Sequence, residues 1–286
     1  MRIDAHQHFW RLSRGDYGWL TPELAPIYRD FMPGDLAPLL AAAGIARTIL
    51  VQAAPSAAET AFLLDIAQTT PFVAGVVGWV DFTAPNAAAT IATLSQNPRL
   101  VGLRPMIHDI ADPDWMLHPQ LEPAFAAMQR LGLVFDALVR PVHLARLIAL
   151  ADRHPALAIV VDHAAKPDIA SGRLDPWQRD MLALSARPNV ACKLSGLVTE
   201  AGAGWTIDRL RPYVAPLIAY FGPQRLIFGS DWPVCTLAAG YGEWSAAVET
   251  LLAGLAPAER QAVFGGNAER VYLSTRGTLA LDDGRP

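Results

Sequence analysis

The sequence has little cysteine and no long apolar run, and each shortage excludes a class of protein. Only two of the 286 residues are cysteines, Cys192 and Cys235, and their separation matches no metal-ligand spacing. A disulfide framework is therefore not expected, and a reducing cytoplasm is the predicted location. No apolar run approaches the ~18 residues of a membrane-spanning helix, and the N-terminal residues lack the apolar stretch of a signal peptide. We therefore expect no membrane association.

Charge is also scarce. Charged residues make up 17% of the chain, the formal net charge is −4, and Lys and Arg form no run. Nucleic acid is therefore not an expected partner. Hydrophobic residues make up 52% of the chain, which is enough for a large core and predicts a compact enzyme-sized domain rather than disorder. Composition indicates nothing about the oligomeric state.

Short apolar runs alternate with stretches of helical periodicity. We predict strands over Arg2–His8, Thr48–Ala53, Phe72–Val80, Leu100–Ile107, Leu133–Val139, Leu157–His163, Asn189–Ser195 and Leu226–Ser230. We predict helices over Leu36–Gly44, Ala57–Gln68, Asn86–Leu94, Gln120–Leu131, Val142–Arg153, Asp175–Ala186, Ile207–Phe221 and Glu243–Leu255. Such alternation indicates a parallel sheet covered by helices on both faces.

The number of strand–helix units indicates which α/β fold the chain adopts. Eight units over about 250 residues favour an α/β protein with one domain, a distorted TIM-type (β/α)8 barrel. We place this barrel at residues 1–273 and a C-terminal tail at residues 274–286. No glycine-rich phosphate loop follows the first strand, so an open dinucleotide-binding sheet is disfavoured. Two long connections, Arg11–Pro33 and Ile110–Pro119, interrupt the alternation, and the first is a candidate lid.

Polar residues stand at the carboxyl ends of almost all predicted strands. In a parallel barrel these ends meet at one face, where catalytic groups gather. The residues concerned are His6, His8, Gln52, Trp79, Asp81, Arg104, His108, Asp136, Arg140, Asp162, His163, Lys166, Lys193, Ser195, Ser230, Asp231 and Trp232. This distribution predicts an active site at that face.

The pair His6 and His8 is the sharpest local signal. Residues i and i+2 of a strand point to one face, so both imidazoles are expected to enter the barrel mouth together. Two imidazoles with a carboxylate across the barrel suit zinc or a similar ion. The alternative is two histidines whose ring nitrogens only bind backbone carbonyls. His163 and Asp231, which directly follow apolar strands, favour the metal-binding interpretation.

Three segments together resemble the amidohydrolase superfamily. They are Asp4–Trp10 (DAHQHFW), Val161–Pro167 (VDHAAKP) and Phe228–Pro233 (FGSDWP), and their order and spacing extend the resemblance over roughly residues 1–273. The chain is most similar to the sugar-lactone hydrolase subgroup, which includes L-fuconolactonases and L-rhamnonolactonases. The resemblance implies a distorted (β/α)8 barrel that hydrolyses a lactone ring at the strand ends.

The resemblance also implies roles for individual residues. His6 and His8 match the strand-1 pair, His163 the strand-6 histidine and Asp231 the strand-8 carboxylate. These four are the expected catalytic residues and the candidate ligands of a single divalent metal, with zinc the first choice. Members of this branch are also thought to work without a tightly bound metal, so the resemblance leaves the requirement for metal open.

One departure from the wider superfamily bears on metal number. Binuclear members carry a bridging Lys or Glu on strand 4 and a ligand His on strand 5. The segments Val101–His108 and Val134–Arg140 show neither residue, so a two-metal site is not expected.

The predicted reaction is lactone hydrolysis. Asp231 would act as general base on water, and a metal ion or the histidines would stabilise the developing oxyanion. No Gly-x-Ser-x-Gly motif occurs, which disfavours a serine nucleophile. The expected ligand is a neutral sugar lactone. The residues expected to bind it are Arg104, His108, Lys166, Trp79, Trp232, Trp10 and Tyr28.

Two other interpretations remain open from the sequence. A metal-dependent decarboxylase, or another hydrolase of the same superfamily, would use similar histidines and a similar aspartate. A barrel that has lost catalysis and only binds sugars would be a different class of protein.

Overall fold

Eight parallel strands form one sheet in which each strand pairs with the next along the chain. A computed structural model describes residues 1–274. The strands are β1 (Ile3–Gln7), β2 (Arg47–Val51), β3 (Val73–Gly78), β4 (Leu100–Leu103), β5 (Val134–Ala137), β6 (Ile159–Val161), β7 (Val190–Leu194) and β8 (Leu226–Phe228). The sheet closes just beyond β8, where the His8 N–H donates to the Trp232 carbonyl over 2.8 Å. The predicted single-domain (β/α)8 barrel is confirmed, and the predicted tail from residue 275 onward lies outside the described residues.

Helices cover the outside of this barrel. They are α1 (Pro33–Ala43), α2 (Ala57–Thr69), α3 (Ala87–Leu94), α4 (Glu122–Arg130), α5 (Leu144–Arg153), α6 (Trp177–Ser185), α7 (Leu197–Ala201), α8 (Ile207–Phe221), α9 (Tyr241–Leu251) and α10 (Pro257–Gln261). The sequence did not predict α7 and α10, because five residues are too few to show a helical period. Helix α1 begins at Pro33, before the predicted Leu36, because proline suits a first turn and Asp35 accepts the Met32 N–H over 2.9 Å.

The strands are shorter than the apolar runs predicted. The run beginning at Leu100 leaves the sheet after Leu103, and Ile107–Asp109 forms a 3₁₀ turn. The run ending at His163 leaves the sheet after Val161. Apolar residues continue past the strand ends because they also form the walls of the cavities above the barrel, so hydrophobicity alone overestimates strand length.

Apolar side chains form two layers. The interior of the barrel holds Ile3, Ala5, Ile49, Val51, Val77, Val101, Val134, Val160, Ala191 and Ile227. The second layer, larger than the first, lies between the barrel and its helices. Burial of this apolar surface is the main favourable contribution to folding.

The segment after α10 closes the amino-terminal end of the barrel. Asn267 donates its side-chain amide to the Leu226 carbonyl at the start of β8 over 2.7 Å. Gly265 approaches so closely that an added Cβ would lie 2.1 Å from the Met1 carbonyl oxygen. Tyr272 is fully buried in the interior layer, and its hydroxyl donates to Asp136 Oδ1 over 2.6 Å. The opposite, carboxyl-terminal end of the barrel therefore remains as the place for a site.

The structure also describes the two cysteines and the length of the apolar helices. Cys192 and Cys235 are both buried and unpaired. Among the described residues, no helix has the length and apolar character needed to cross a bilayer. The cytoplasmic location stays a prediction.

Candidate active site

A bulge in β1 decides which way the two histidines point. Asp4 pairs with Thr48 and Gln7 pairs with Leu50. Between these two pairs β1 contains one residue more than β2 does. Ile3 and Ala5 face the interior, and strict alternation from them would turn the histidines outward. The extra residue reverses the alternation, so His6 and His8 face the barrel mouth, as bulges beside active sites often do. Their ring centroids lie 4.9 Å apart.

Gly229 lets the end of β8 approach β1. A Cβ added there would lie 2.6 Å from His6 Cβ, closer than two such atoms can come. The next residues are fixed by backbone bonds, because Asp231 N–H donates to the His6 carbonyl over 2.7 Å. The buried Asp4 carboxylate accepts the Ser230 N–H over 2.8 Å and the Tyr241 hydroxyl over 3.0 Å. These bonds set Asp231 directly beside the histidine pair.

A left-handed turn after β6 positions His163. The φ angles of His163, Ala164, Ala165 and Lys166 are 52°, 50°, 62° and 52°. Each non-glycine residue in this region costs roughly 1–2 kcal/mol, so such strain persists only where the surroundings enforce it. Asp231 is also left-handed, with φ 58°. Strain is therefore concentrated at the two segments that carry the strand-6 histidine and the strand-8 carboxylate.

Three imidazole nitrogens converge on one carboxylate oxygen. Asp231 Oδ1 lies 3.2 Å from His8 Nε2, 3.6 Å from His6 Nε2 and 3.9 Å from His163 Nε2. All four side chains are nearly inaccessible to solvent. The four residues that the sequence singled out for catalysis thus form one cluster at the mouth of the barrel.

Hydrogen bonds of the ring nitrogens show how His8 and His6 are oriented. His8 Nδ1 lies 2.8 Å from the Val51 carbonyl, which can only accept, so Nδ1 carries a proton and Nε2 is the nitrogen that faces Asp231. Arg104 Nη1 donates to His6 Nε2 over 3.2 Å, which leaves the His6 proton on Nδ1, near Asp162. His8 Nε2 and the Asp231 carboxylate, 3.2 Å apart, are placed to hold a proton or a metal ion between them. The donor set therefore fits a cation.

Burial and charge together set the protonation of this cluster. Burial lowers the pKa of His6 and of His163 well below the usual value, so both rings are neutral near pH 7. Burial alone would raise the pKa of Asp231, but the neighbouring His163, His8 and Lys166 outweigh it and hold that pKa below its usual value. The rings of His6 and His163 are therefore neutral beside an ionised Asp231, which is the protonation state that metal binding and base catalysis both need.

A buried ionic column supports the cluster from inside the barrel. Lys193 Nζ lies 2.5 Å from Asp136 Oδ2, 3.0 Å from Asp162 Oδ1 and 3.3 Å from His6 Nδ1. Arg104 completes the column by donating to Asp162 Oδ2 over 3.2 Å. His6, Asp136 and Asp162 are close enough to hold an ion themselves, but the lysine ammonium lies among them. The Lys193 ammonium thus occupies the position at which these three side chains could otherwise bind a second metal ion.

This column is the part of the site that the sequence did not predict. Asp136, Asp162 and Lys193 were recognised only as polar strand ends, without partners. The available signal was that each lies two residues beyond an interior side chain, because Val134, Val160 and Ala191 share the inward face.

A small cavity opens above the cluster. Its volume is about 190 Å³, and its walls include His8, His163 and Asp231 together with Arg104, His108 and Lys166. Lys166 donates to Glu200 over 2.6 Å. Burial and nearby cations lower the pKa of His108 to about 3, so this ring contacts a ligand as a neutral group.

The four aromatic residues expected to bind substrate lie in different surroundings. Trp79 lines a larger neighbouring cavity rather than the small one. Trp232 is buried against Phe31, at a ring distance of 5.2 Å. Trp10 is fully buried and donates its indole N–H to the Arg29 carbonyl. Tyr28 is 39% exposed and lines neither cavity. A contact of the last three with substrate stays a prediction.

The connection predicted as a lid lies beside the site. Paired backbone bonds between Trp10 and Phe31 close its neck. Farther along it, Tyr17 donates to Glu59 over 2.7 Å and Trp19 donates its indole N–H to the Ala53 carbonyl over 2.7 Å. Trp19 consequently lines both cavities. The sequence did not single out Trp19, because one tryptophan in a long loop carries no positional signal.

Comparison with known proteins agrees with this arrangement. A family model described as amidohydrolase matches residues 3–273, almost the whole chain. The chain belongs to the amidohydrolase family. The resemblance of the three motifs is thereby confirmed.

Curated relatives and a solved structure are similar over nearly their full lengths. An L-fucono-1,5-lactonase of Burkholderia ambifaria is 52% identical over 279 residues, which are 96% of each chain. An L-fucono-1,5-lactonase of Burkholderia multivorans is 41% identical and covers 95% of this chain and 96% of its own. The crystal structure of a Burkholderia multivorans amidohydrolase with bound zinc superposes with a TM-score of 0.91 at 40% identity, covering 95% of this chain and 99% of that one.

Proposed function

We propose that this protein is a lactonase that hydrolyses a sugar lactone of the L-fucono-1,5-lactone kind to the sugar acid. The observation that carries the proposal is the Asp231 carboxylate beside three histidines at a small cavity with polar walls. The 52% identity to an L-fucono-1,5-lactonase supports the same reaction, and no observation favours decarboxylation.

Asp231 would activate the water. Its carboxylate would take a proton from water, whose oxygen then bonds to the lactone carbonyl carbon. As the tetrahedral intermediate collapses, the bond between the acyl carbon and the ring oxygen breaks. Asp231 would return the proton to the departing ring oxygen, so the net reaction consumes one water and gives a hydroxy acid. The nucleophile and both proton transfers thus depend on one residue.

Arg104 is the best placed residue to stabilise the oxyanion. It is 3% exposed, lines the small cavity and is held by acceptors on two sides, Asp162 and the Gln52 carbonyl. A preorganised cation in a water-poor site stabilises developing negative charge strongly. Lys166 and the neutral His108, which line the same cavity, would bind the sugar hydroxyls. A neutral sugar lactone suits this small set of cations.

The metal is a single divalent ion in this proposal, with zinc the first choice. His6 Nε2, His163 Nε2 and an oxygen of Asp231 would hold it, since such ligand atoms of these residues lie within 4.8 Å of one another, and His8 Nε2 is adjacent. A bound ion would polarise the lactone carbonyl as a Lewis acid. Arg104 donates to the same His6 nitrogen over 3.2 Å and would compete with such an ion for its lone pair. Because Arg104 would stabilise the oxyanion whether or not an ion is bound, we expect part of the activity to survive removal of metal.

The proposal is tested with a panel of aldonolactones. Purified protein is assayed by pH-indicator acid release on L-fucono-, L-rhamnono-, D-galactono- and D-arabinonolactones, before and after chelation. We expect L-fucono-1,5-lactone to be hydrolysed fastest, and acid release to continue after chelation with bound metal measured in parallel. Absence of acid release from every lactone, with zinc or manganese added, would contradict the proposed function.

Gly196 gives a test of how strictly His163 must be placed. A Cβ at Gly196 would lie 2.6 Å from His163 Nδ1, at a φ of 66°. We expect Gly196→Ala to displace this ring and lower kcat about 100-fold, as misplacements near 1 Å do. Gly44→Ala is the matched control, because Gly44 is also left-handed, with φ 65°, but has no atom within 4 Å of an added Cβ. Both variants should lose about 1–2 kcal/mol of stability from backbone strain. Equal kcat in the two variants would show that His163 placement is unimportant.

A further inference from the structure

A second and larger cavity adjoins the catalytic one. Its volume is about 610 Å³, against about 190 Å³ for the cavity at Asp231. Trp19, Met106 and Asp109 line both, so the two spaces meet along a shared wall. Ligand pockets usually enclose roughly 300–1,000 Å³, a range that the larger cavity reaches and the smaller does not. The two together offer room for more than one sugar ring.

Aromatic side chains form much of the larger cavity. Trp19, Trp79, Phe82 and Trp115 all line it. Trp19 is fixed by its indole bond to the Ala53 carbonyl, and the Trp115 ring packs against Phe82 at 6.2 Å. Flat, rigid aromatic faces suit the apolar face of a pyranose ring, and an indole edge can still bind a hydroxyl. The wall therefore favours a ring-shaped, partly apolar ligand.

The polar groups of this cavity have one sign of charge. Asp16, Asp81 and Asp109 line it, and no Lys, Arg or His of the described chain does. Asp16 Oδ2 accepts from Arg14 and Ser56, but its buried Oδ1 accepts no hydrogen bond from a described residue. Carboxylates accept hydroxyl hydrogens and repel anions. The ligand must therefore carry hydroxyl donors and no negative charge at this end.

We propose that the larger cavity is a subsite for a second, uncharged sugar ring linked to the lactone. In a disaccharide lactone the lactone ring would occupy the small cavity at Asp231, and the second ring would lie between the tryptophans and accepting carboxylates. This inference rests on the proposed function, which places the lactone ring in the small cavity. The larger cavity then selects extended lactones over single-ring ones.

Binding of reaction products tests the subsite without requiring turnover. Calorimetric Kd values are measured for cellobionate, maltobionate and lactobionate, and for gluconate, which is their open-chain acid portion without the attached sugar ring. We expect at least one of the three to bind at least tenfold more tightly than gluconate. Trp115→Ala should remove that difference and leave the gluconate Kd unchanged, because Trp115 lines only the larger cavity.

Two further variants separate a specific loss from general damage. Trp115→Phe should restore most of the difference, since a phenyl ring keeps an aromatic face. Trp205→Ala should keep all of it, because Trp205 bonds to the Ala238 carbonyl and lines neither cavity.

The outcomes distinguish the subsite from the reaction. Disaccharide acids that bind no tighter than gluconate, or a difference that survives Trp115→Ala, would overturn the subsite. Tight binding of the disaccharide acids together with no acid release from any lactone would overturn the proposed reaction and leave the subsite standing.

Discussion

Replacing Asp231 by Asn is expected to lower kcat for lactone hydrolysis about 10³-fold or more, within the range that general acid–base residues contribute. The amide keeps the size and the hydrogen-bonding positions of the carboxylate, but it cannot take a proton from water. Because Asp231 lies 3.2 Å from His8 Nε2 in a solvent-poor cluster, no other carboxylate can replace it at that position. The measurement is steady-state acid release, with the thermal unfolding midpoint recorded for each variant.

Asp168→Asn is the matched control for this change. Asp168 stands on the connection that follows the left-handed turn, and its carboxylate accepts the Ser171 N–H at the surface. We expect its kcat to stay within a few-fold of the unsubstituted enzyme. Activity of Asp231→Asn within tenfold of normal, with an unchanged unfolding midpoint, would mean that another group activates the water.

Removal of the buried lysine is expected to have the largest effect on stability. Lys193→Met keeps most of the length of the unbranched side chain but leaves the Asp136 and Asp162 carboxylates without their shared cation. Breaking a fully buried ion pair by removing one partner typically costs about 3–5 kcal/mol. The measurement is the free energy of unfolding from a denaturant titration, which should fall by an amount in this range.

Two variants show whether the loss comes from uncompensated charge. Lys193→Met combined with Asp136→Asn should recover part of the stability, because one of the two orphaned carboxylates is then neutral. Arg187→Met, which removes a surface pair with Asp152, should change the free energy of unfolding far less. A Lys193→Met protein as stable as the original would show that the column contributes little to the fold.

The fold could be predicted because its signal is local and repeated. Each unit pairs an apolar run with a stretch of helical period, and each strand needs only its neighbour to form the sheet. The identity of the four clustered residues could be predicted for a similar reason, since all lie at carboxyl ends of strands.

Other features depend on residues far apart in the chain. The inward direction of His6 follows from a register shift that no alternation in Ile3–Gln7 reveals, because the apolar pattern alone places Ala5 inward and His6 outward. The ionic column joins Asp136 to Tyr272 across 136 positions. Long-range pairings of this kind are set by how the closed barrel packs, and a single sequence does not contain that geometry.

The central claim is that water, activated by Asp231, attacks the lactone carbonyl directly. A single-turnover reaction of excess enzyme with L-fucono-1,5-lactone in H₂¹⁸O tests it, provided that it is stopped before buffer alone opens the lactone. The account predicts one ¹⁸O in the product carboxylate and none in the peptide that contains Asp231. Unlabelled product with ¹⁸O in Asp231 would contradict it. So would ¹⁸O in the product hydroxyl at C5, the carbon that the ring oxygen joins to the acyl carbon.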